Sequence, residues 1–585
     1  MNPTREYILS TLSLHNIKVT DLQLEKLRTT IKNHHRLLEL LFNEETGKSI
    51  DKFALTPKWT MERFLENIYP GTEGKIQRSA KSILKESPDV QSYSLYFQSS
   101  HSMKQLSPIQ SVKKSLESID KYGDSSIFIR VFKERALKDA DELGRKKASD
   151  LPLYGTTAAI KDIIAVSGHK MTAGSKVLDI EPAEDDAPVV KNLRKAGAII
   201  VGVTNLHELA FGTTNINPHF GIVRNPINSE FISGGSSGGS AAAVKLGMVD
   251  FSLGTDTGGS VRIPASCCGI VGFKPSFGLL PLEGVFPLGY TLDHVGIMAD
   301  SVWKVAVVTE AIIGSYGYFT SDLLESPFSG SREDRISRKT DAGYSEPDKS
   351  RQNIPHRDRE KLNSTGMVGS DFEGIKLKGL RIGVPGDFFL EEIQDEIKDG
   401  FNIAIEKLKN RGTQVIKIDL PFHRYAPACY LCTSGPEALG LHYTRLINKS
   451  HLLGEDVLIR LIAALFIPAF ARVKAQRIRE LMFMELQEAF KRVDIIATPT
   501  LAVTVPKINE KLVSINGRDY DVISILLRNT SPFNLTGVPA ITIPCGKDRS
   551  GIPIGLQLIC GYGEDIKLLR LSSAIEIALD YEKNV

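Results

Sequence analysis

Three residues of this chain have side chains and surroundings suited to nucleophilic chemistry: Lys161 in Ala-Ala-Ile-Lys-Asp, Ser236 in Gly-Gly-Ser-Ser-Gly-Gly-Ser, and Ser260 in Asp-Thr-Gly-Gly-Ser-Val-Arg. A serine hydroxyl is a weak nucleophile at its own pKa and needs a neighbour that takes its proton. Lys161 stands between Ala158-Ala159-Ile160 and Asp162-Ile163-Ile164, an apolar setting in which burial disfavours the ammonium form and lowers the pKa. A lysine held neutral can accept a proton. Ser260 follows Thr257-Gly258-Gly259, and two glycines before a serine let the backbone turn tightly and aim several N–H groups at one point. That is how an oxyanion hole is made. Taken singly, Gly-Gly-Ser also reads as a helix-capping turn and Lys161 as a surface lysine on a strand.

Ser236 sits among four glycines, after the strand-like Phe231-Ile232 and before the helix-like Ser240–Lys245. The loop lacks the Lys-Ser/Thr ending of a phosphate-binding loop and the Gly-x-Gly-x-x-Gly spacing of a dinucleotide site. Gly234-Gly235-Ser236-Ser237-Gly238 does fit Gly-x-Ser-x-Gly, the nucleophile elbow of α/β-hydrolase esterases. That alternative makes Ser236 the nucleophile and requires a downstream histidine, His294 or His442.

Together these residues resemble the amidase signature family. Lys161 and Ser236 are 75 positions apart and Ser236 and Ser260 are 24 apart, spacings similar to those of that family's lysine and two serines. The flanking segments 221–226, 262–275, 534–544 and 551–557 are also similar, and the resemblance covers about 111–320 and 374–580. It implies an α/β/α sandwich around a large mixed β-sheet and a Ser-cisSer-Lys triad. By the same resemblance Ser260 is the nucleophile, Ser236 the bridging serine after a cis peptide bond, and Lys161 the base and acid. The N–H groups of Thr257, Gly258, Gly259 and Ser260 would form the oxyanion hole. The implied reaction cleaves a small-molecule amide to an acid plus ammonia or an amine through an acyl-enzyme, with no metal and no organic cofactor. Arg262 is expected to be structural, since a charge beside a buried loop needs partners. An alternative within the family is the glutaminase (A) subunit of a tRNA-dependent amidotransferase. Those proteins carry an Arg-Tyr-Asp-Gly type segment where this chain has Glu437-Ala-Leu-Gly-Leu-His-Tyr-Thr-Arg445. A catalytically inactive binding protein on the same fold is the alternative from another class.

The elements that must hold these loops are legible in outline. Leu24, Leu27, Ile31, Leu38 and Leu41 recur at helical spacing with Thr20 or Asp21 as N-cap, so residues 1–110 read as a helical extension. Short apolar strands, glycine turns and helices follow, as in Val189-Val190-x-x-Leu193 leading through Gly197 into Ala198–Val203. This is α/β texture. The amidase domain then spans 111–580, interrupted at about 329–366. There nine Lys/Arg and seven Asp/Glu accompany only Ile336, Tyr344, Ile354 and Leu362 as large apolar residues, which reads as a disordered surface insertion. Beyond it the pattern predicts strands at 379–384, 414–418, 494–498 and 540–544, and helices at 391–409 and 455–491.

Composition bounds the rest. The 585 residues are 42% hydrophobic and 24% charged, and 72 Lys+Arg against 69 Asp+Glu leave a net charge of +3. That is a soluble globular composition with nothing that calls for nucleic acid. The N-terminus lacks a secretory pattern, so a cytoplasmic location is the default. The apolar run Leu461–Ala471 falls where lipid-amide hydrolases of the family place a membrane cap, but eleven residues containing Pro468 are too few to cross a bilayer. A buried helix roofing the acyl pocket is the preferred reading. Six cysteines without zinc-site spacing read as reduced, packed thiols. A homodimer is compatible with the sequence.

Overall fold

The computed structural model describes residues 4–15, 17–42, 106–123, 125–146, 151–313 and 377–580. The insertion read at 329–366 and residues 43–105 of the N-terminal extension lie outside them. Among the described residues eleven strands form one sheet. Its spatial order is Phe128–Val131, Ile199–Thr204, Thr157–Lys161, Phe251–Thr255, Val295–Ala299, Val271–Lys274, Ala540–Lys547, Pro553–Ile559, Ile495–Pro499, Arg381–Pro385 and Gln414–Ile418. The central strands pair antiparallel. Thr157–Lys161 pairs parallel with both its neighbours, and Arg381–Pro385 does the same on the far flank.

Parallel neighbours need a crossover, and helices supply it. Pro188–Lys195 buries Val189, Val190 and Leu193 on its way from Thr157–Lys161 to Ile199–Thr204, and Asp395–Asn410 links the two parallel strands at 381 and 414. Helices cover both sheet faces, so Thr157–Lys161, Ile199–Thr204, Phe251–Thr255 and Val295–Ala299 are buried at every position. This is why their sequences run apolar instead of alternating. The mixed sheet between helical layers is the architecture expected.

Two helices, α1 (Arg5–Leu14) and α2 (Asp21–Leu41), stand at the N-terminus. Thr20 caps α2 in a reciprocal box: the Gln23 N–H donates to Thr20 Oγ1 at 3.2 Å and the Thr20 N–H to Gln23 Oε1 at 2.9 Å. Leu24, Leu27, Ile31, Leu38 and Leu41 are all buried, each contributing about 1.5–3 kcal/mol if fully removed from water. Their stripe packs on the helices Ala426–Lys449, Glu455–Ala464 and Ala469–Ala489. His15 Nδ1 lies 2.7 Å from Tyr443 Oη, and Lys26 pairs with Glu455.

Three local readings change. The helix expected over 455–491 divides into Glu455–Ala464 and Ala469–Ala489, because Pro468 takes extended angles (φ −66°, ψ 144°) and has no N–H to continue the first helix. A 24-residue helix, Ala426–Lys449, occupies a stretch to which the pattern assigned nothing. Phe231 and Ile232 form isolated bridges to Lys507 and Arg224 and not a strand. Among the described residues no helix is long and apolar enough to cross a membrane. All six cysteines are free and buried.

Candidate active site

Lys161 is the last residue of the strand Thr157–Lys161 and is fully buried. Its Nζ lies 2.7 Å from Ser236 Oγ and 2.8 Å from Thr255 Oγ1, the latter at the end of the adjacent parallel strand. Burial brings Lys161 down to about 7, against the opposing pull of the Asp256 and Asp293 carboxylates. The strand end thus carries an amine that sheds its proton near neutrality.

Ser236 is fully buried in the loop between Ile232 and the helix Gly238–Lys245, and the Gly235–Ser236 peptide is cis. The loop is packed too closely for side chains. At Gly234, where φ is +74°, a Cβ would meet Cys267 Sγ at 2.8 Å and the Pro264 Cα at 2.9 Å. The Ser236 carbonyl accepts the His207 N–H at 3.0 Å, which fixes the loop from behind.

Ser260 closes the Thr257–Ser260 turn just before the helix Arg262–Cys268. It joins the first loop through backbone, since the Ser237 N–H donates to the Ser260 carbonyl at 3.2 Å. Ser260 is 5% exposed and lines a cavity. Gly259 has φ +139°, and a Cβ there would lie 2.2 Å from Thr530 Oγ1. The start of the turn is clamped twice: Thr257 Oγ1 donates to Asp293 at 2.6 Å, and Thr530 Oγ1 donates to the Gly258 carbonyl at 2.6 Å.

Behind the turn Arg262 and Asp256 form a fully buried ion pair, with Nη2–Oδ1 at 2.9 Å and Nε–Oδ2 at 3.1 Å. Arg262 also donates to the Thr530 carbonyl, Gln557 and Asn534 at 2.7–2.9 Å, so each guanidinium nitrogen has a partner. Burial opposes ionisation of Asp256, but the Arg262 charge overrides it and holds the carboxyl well below the usual range. Arg262 therefore has the structural role expected of it.

Neither histidine required by the nucleophile-elbow alternative is bonded to Ser236. His294 Nδ1 lies 2.7 Å from the Leu292 carbonyl and its Nε2 faces Lys274 Nζ at 3.3 Å; burial and that lysine keep the ring neutral. His442 packs on Phe286, with both ring nitrogens buried and unpartnered.

The cavity at Ser260 has a volume of about 230 Å³. Tyr430, Phe211, Ile467 and Leu527 give it apolar wall, and Arg460 and Arg528 give it charge. Ala464 and Ile467, from the apolar 461–471 run, belong to this wall, as a roof over an acyl pocket would. Sequence reading missed Thr255, Asp293, Tyr430 and the cavity arginines. Only Asp256 carried a signal, an acid six residues before Arg262 beside the serine.

The family model for Amidase matches residues 110–373 and 342–569. The A subunit of the glutamyl-tRNA(Gln) amidotransferase of Koribacter versatilis is 32% identical over 500 residues, 80% of this chain and 94% of the relative. The protein of the same name from Clostridium novyi is 33% identical, over 78% of this chain and 90% of its own. Among solved structures, one described as an amidase is 29% identical with a TM-score of 0.68, covering 84% of this chain and 99% of that one. The A subunit of the Thermotoga maritima glutamyl-tRNA(Gln) amidotransferase is 30% identical with a TM-score of 0.59, covering 80% and 91%. With the matched sequence running through both serine loops and the sheet built as in those structures, this chain belongs to the amidase signature family and is an amidase.

Proposed function

We propose that this chain cleaves a primary amide through an acyl-enzyme on Ser260, with Ser236 relaying the proton and Lys161 as base. We further propose that the amide is the side chain of glutamine, hydrolysed by a glutaminase-type chain that passes ammonia to a partner. The chemistry rests on one observation, the 2.7 Å contact between a lysine depressed to about 7 and a serine in the loop bonded to Ser260. The substrate rests on relatives named as amidotransferase A subunits, which align over about 80% of the chain.

In this mechanism neutral Lys161 takes the Ser236 proton while Ser236 takes that of Ser260, whose Oγ attacks the carbonyl carbon. The developing oxyanion would receive N–H donors from the Thr257–Ser260 turn. Among the described residues none of those four N–H groups donates to another protein group, which leaves them free for the task. The relay then runs backward, the leaving nitrogen departs as ammonia, and water cleaves the acyl-enzyme by the same path. No step calls on a metal or an organic cofactor. A partner protein in place of a homodimer, and a cytoplasmic setting, go with this reading.

A second reading, a free-standing amidase for another small amide, is favoured by the segment 437–445. Its helix places Glu437 against Thr291 and Arg472 at 2.9 Å and carries no Arg-Tyr-Asp-Gly. Ammonia release from glutamine, short aliphatic amides, aryl amides and long-chain acyl amides separates the two, with Ser260→Ala as blank. Preference for glutamine supports the first, preference for another amide the second, and ammonia from none overturns both. Mass spectrometry after a fluorophosphonate should place the adduct on Ser260. An adduct on Ser236 would restore the nucleophile elbow.

A further inference from the structure

We propose that Thr530 is a positioning residue of the oxyanion hole: its hydroxyl holds the Gly258 carbonyl so that the Gly259 N–H, on the same peptide, is turned toward the carbonyl oxygen of the amide. The proposal rests on the hydrolase reading above and deepens it, because it says what keeps a donor of the turn aimed while charge develops on that oxygen. Thr530 reaches the turn from a segment 272 residues after Gly258.

A peptide group is planar, and in the trans form its C=O and N–H point in opposite directions. The Gly258–Gly259 bond is trans, so whatever fixes the Gly258 oxygen also fixes the direction of the Gly259 N–H. Thr530 Oγ1 lies 2.6 Å from that oxygen and 3.4 Å from the Leu527 carbonyl. A hydroxyl has one proton to donate, and the distances assign it to Gly258. The Gly259 N–H donates to no protein group among the described residues. This peptide is therefore anchored at its acceptor end and open at its donor end.

Thr530 is itself firmly held. It is fully buried, its carbonyl accepts from Arg262 Nη1 at 2.9 Å, and the preceding carbonyl, of Asn529, accepts from Gln557 Nε2 at 2.9 Å. Gln557 lies on the strand Pro553–Ile559, and its Oε1 accepts from Arg262 at 2.7 Å. A path of hydrogen bonds thus runs from the sheet to the turn. The close approach also accounts for the glycine at 259. With φ +139° a side chain there would be strained, and its Cβ would sit 2.2 Å from Thr530 Oγ1. From the cavity wall Tyr430 closes over Gly258, where a Cβ would lie 2.6 Å from Tyr430 Oη. Without the Thr530 hydroxyl the buried Gly258 oxygen has no donor, so the peptide is driven to rotate and carries the Gly259 N–H out of line.

The test is steady-state ammonia release by the full chain from the best amide of the panel above. Thr530→Val keeps the shape and loses the hydroxyl; Thr530→Ser keeps the hydroxyl. Removing an oxyanion donor outright costs about a hundredfold to a thousandfold in kcat. Turning one aside should lower kcat by about tenfold or more and leave KM within about twofold, because the bond is made only in the transition state. Thr530→Ser should recover most of kcat. A Thr530→Val chain with wild-type kcat, or one whose loss appears in KM, overturns the proposal. So does a loss that serine fails to recover, since packing alone then accounts for it. Should Thr530→Val not fold, Thr530→Ala takes its place under the same criteria. If the wild type labels on Ser260 with a fluorophosphonate but cleaves no amide in the panel, the labelling rate replaces kcat, because the phosphoryl oxygen needs the same donors. A wild type that neither cleaves nor labels overturns the hydrolase reading and this proposal together, whereas an active wild type with an unimpaired Thr530→Val overturns this proposal alone.

Discussion

In the proposed mechanism Lys161 sets the pH dependence. A base must be unprotonated, and with this lysine depressed from 10.5 to about 7 kcat/KM should rise through about pH 7 and level off above it. Lys161→Ala should remove both the rise and most of the activity. His294→Ala and His442→Ala should keep the wild-type profile, because both rings are already held neutral by burial. A histidine variant that loses the rise while Lys161→Ala keeps it would sink the lysine assignment. The same shift bears on stability: between about pH 7 and 10.5 the unfolded chain binds the more protons at Lys161 and at Lys274, also depressed to about 7, so these two sites make stability increase with pH in that window. Arg262→Met should cost about 3–5 kcal/mol in urea titrations by leaving Asp256 buried without its cation. Arg262→Met with Asp256→Leu should recover part of that loss.

Among the elements, α2 is held by packing more than by its cap. Leu27→Ala should destabilise it by about 2–5 kcal/mol and Thr20→Ala by about 1 kcal/mol, read as faster hydrogen exchange of α2 amides; the reverse order would mean the cap dominates. The stripe from Leu24 to Leu41 was legible because every apolar position lies on one buried face. Ala426–Lys449 was not, because Gly435-Pro436 and Gly440 interrupt its local signal and only packing by neighbouring helices sustains it. The site divides the same way. Lys161, Ser236 and Ser260 sit in glycine-rich or strand-end frames that advertise themselves locally. Asp293, Arg460 and His34 reach the cavity or its turn from remote segments, and nothing beside them in sequence announces it.

At the scale of the whole molecule the six thiols report on integrity. All are buried, and burial pushes Cys268, Cys432 and Cys545 up to about 12, so an aromatic disulfide reagent should titrate none of them in the native protein and all six in guanidinium. A thiol that reacts in the native state would mark a locally open core. The pairing of α2 with Glu455–Ala464 has a different consequence, for biosynthesis. Lys26 and Glu455 are 429 residues apart, so at roughly 5–20 residues per second some 20–90 s pass between making the first and making the second. For most of that time the three helices that cover the stripe of α2, the first of them Ala426–Lys449, are not yet made. A ribosome that stops before residue 426 releases a chain with an exposed apolar helix and an unfinished pocket, which quality-control machinery can recognise before any activity exists.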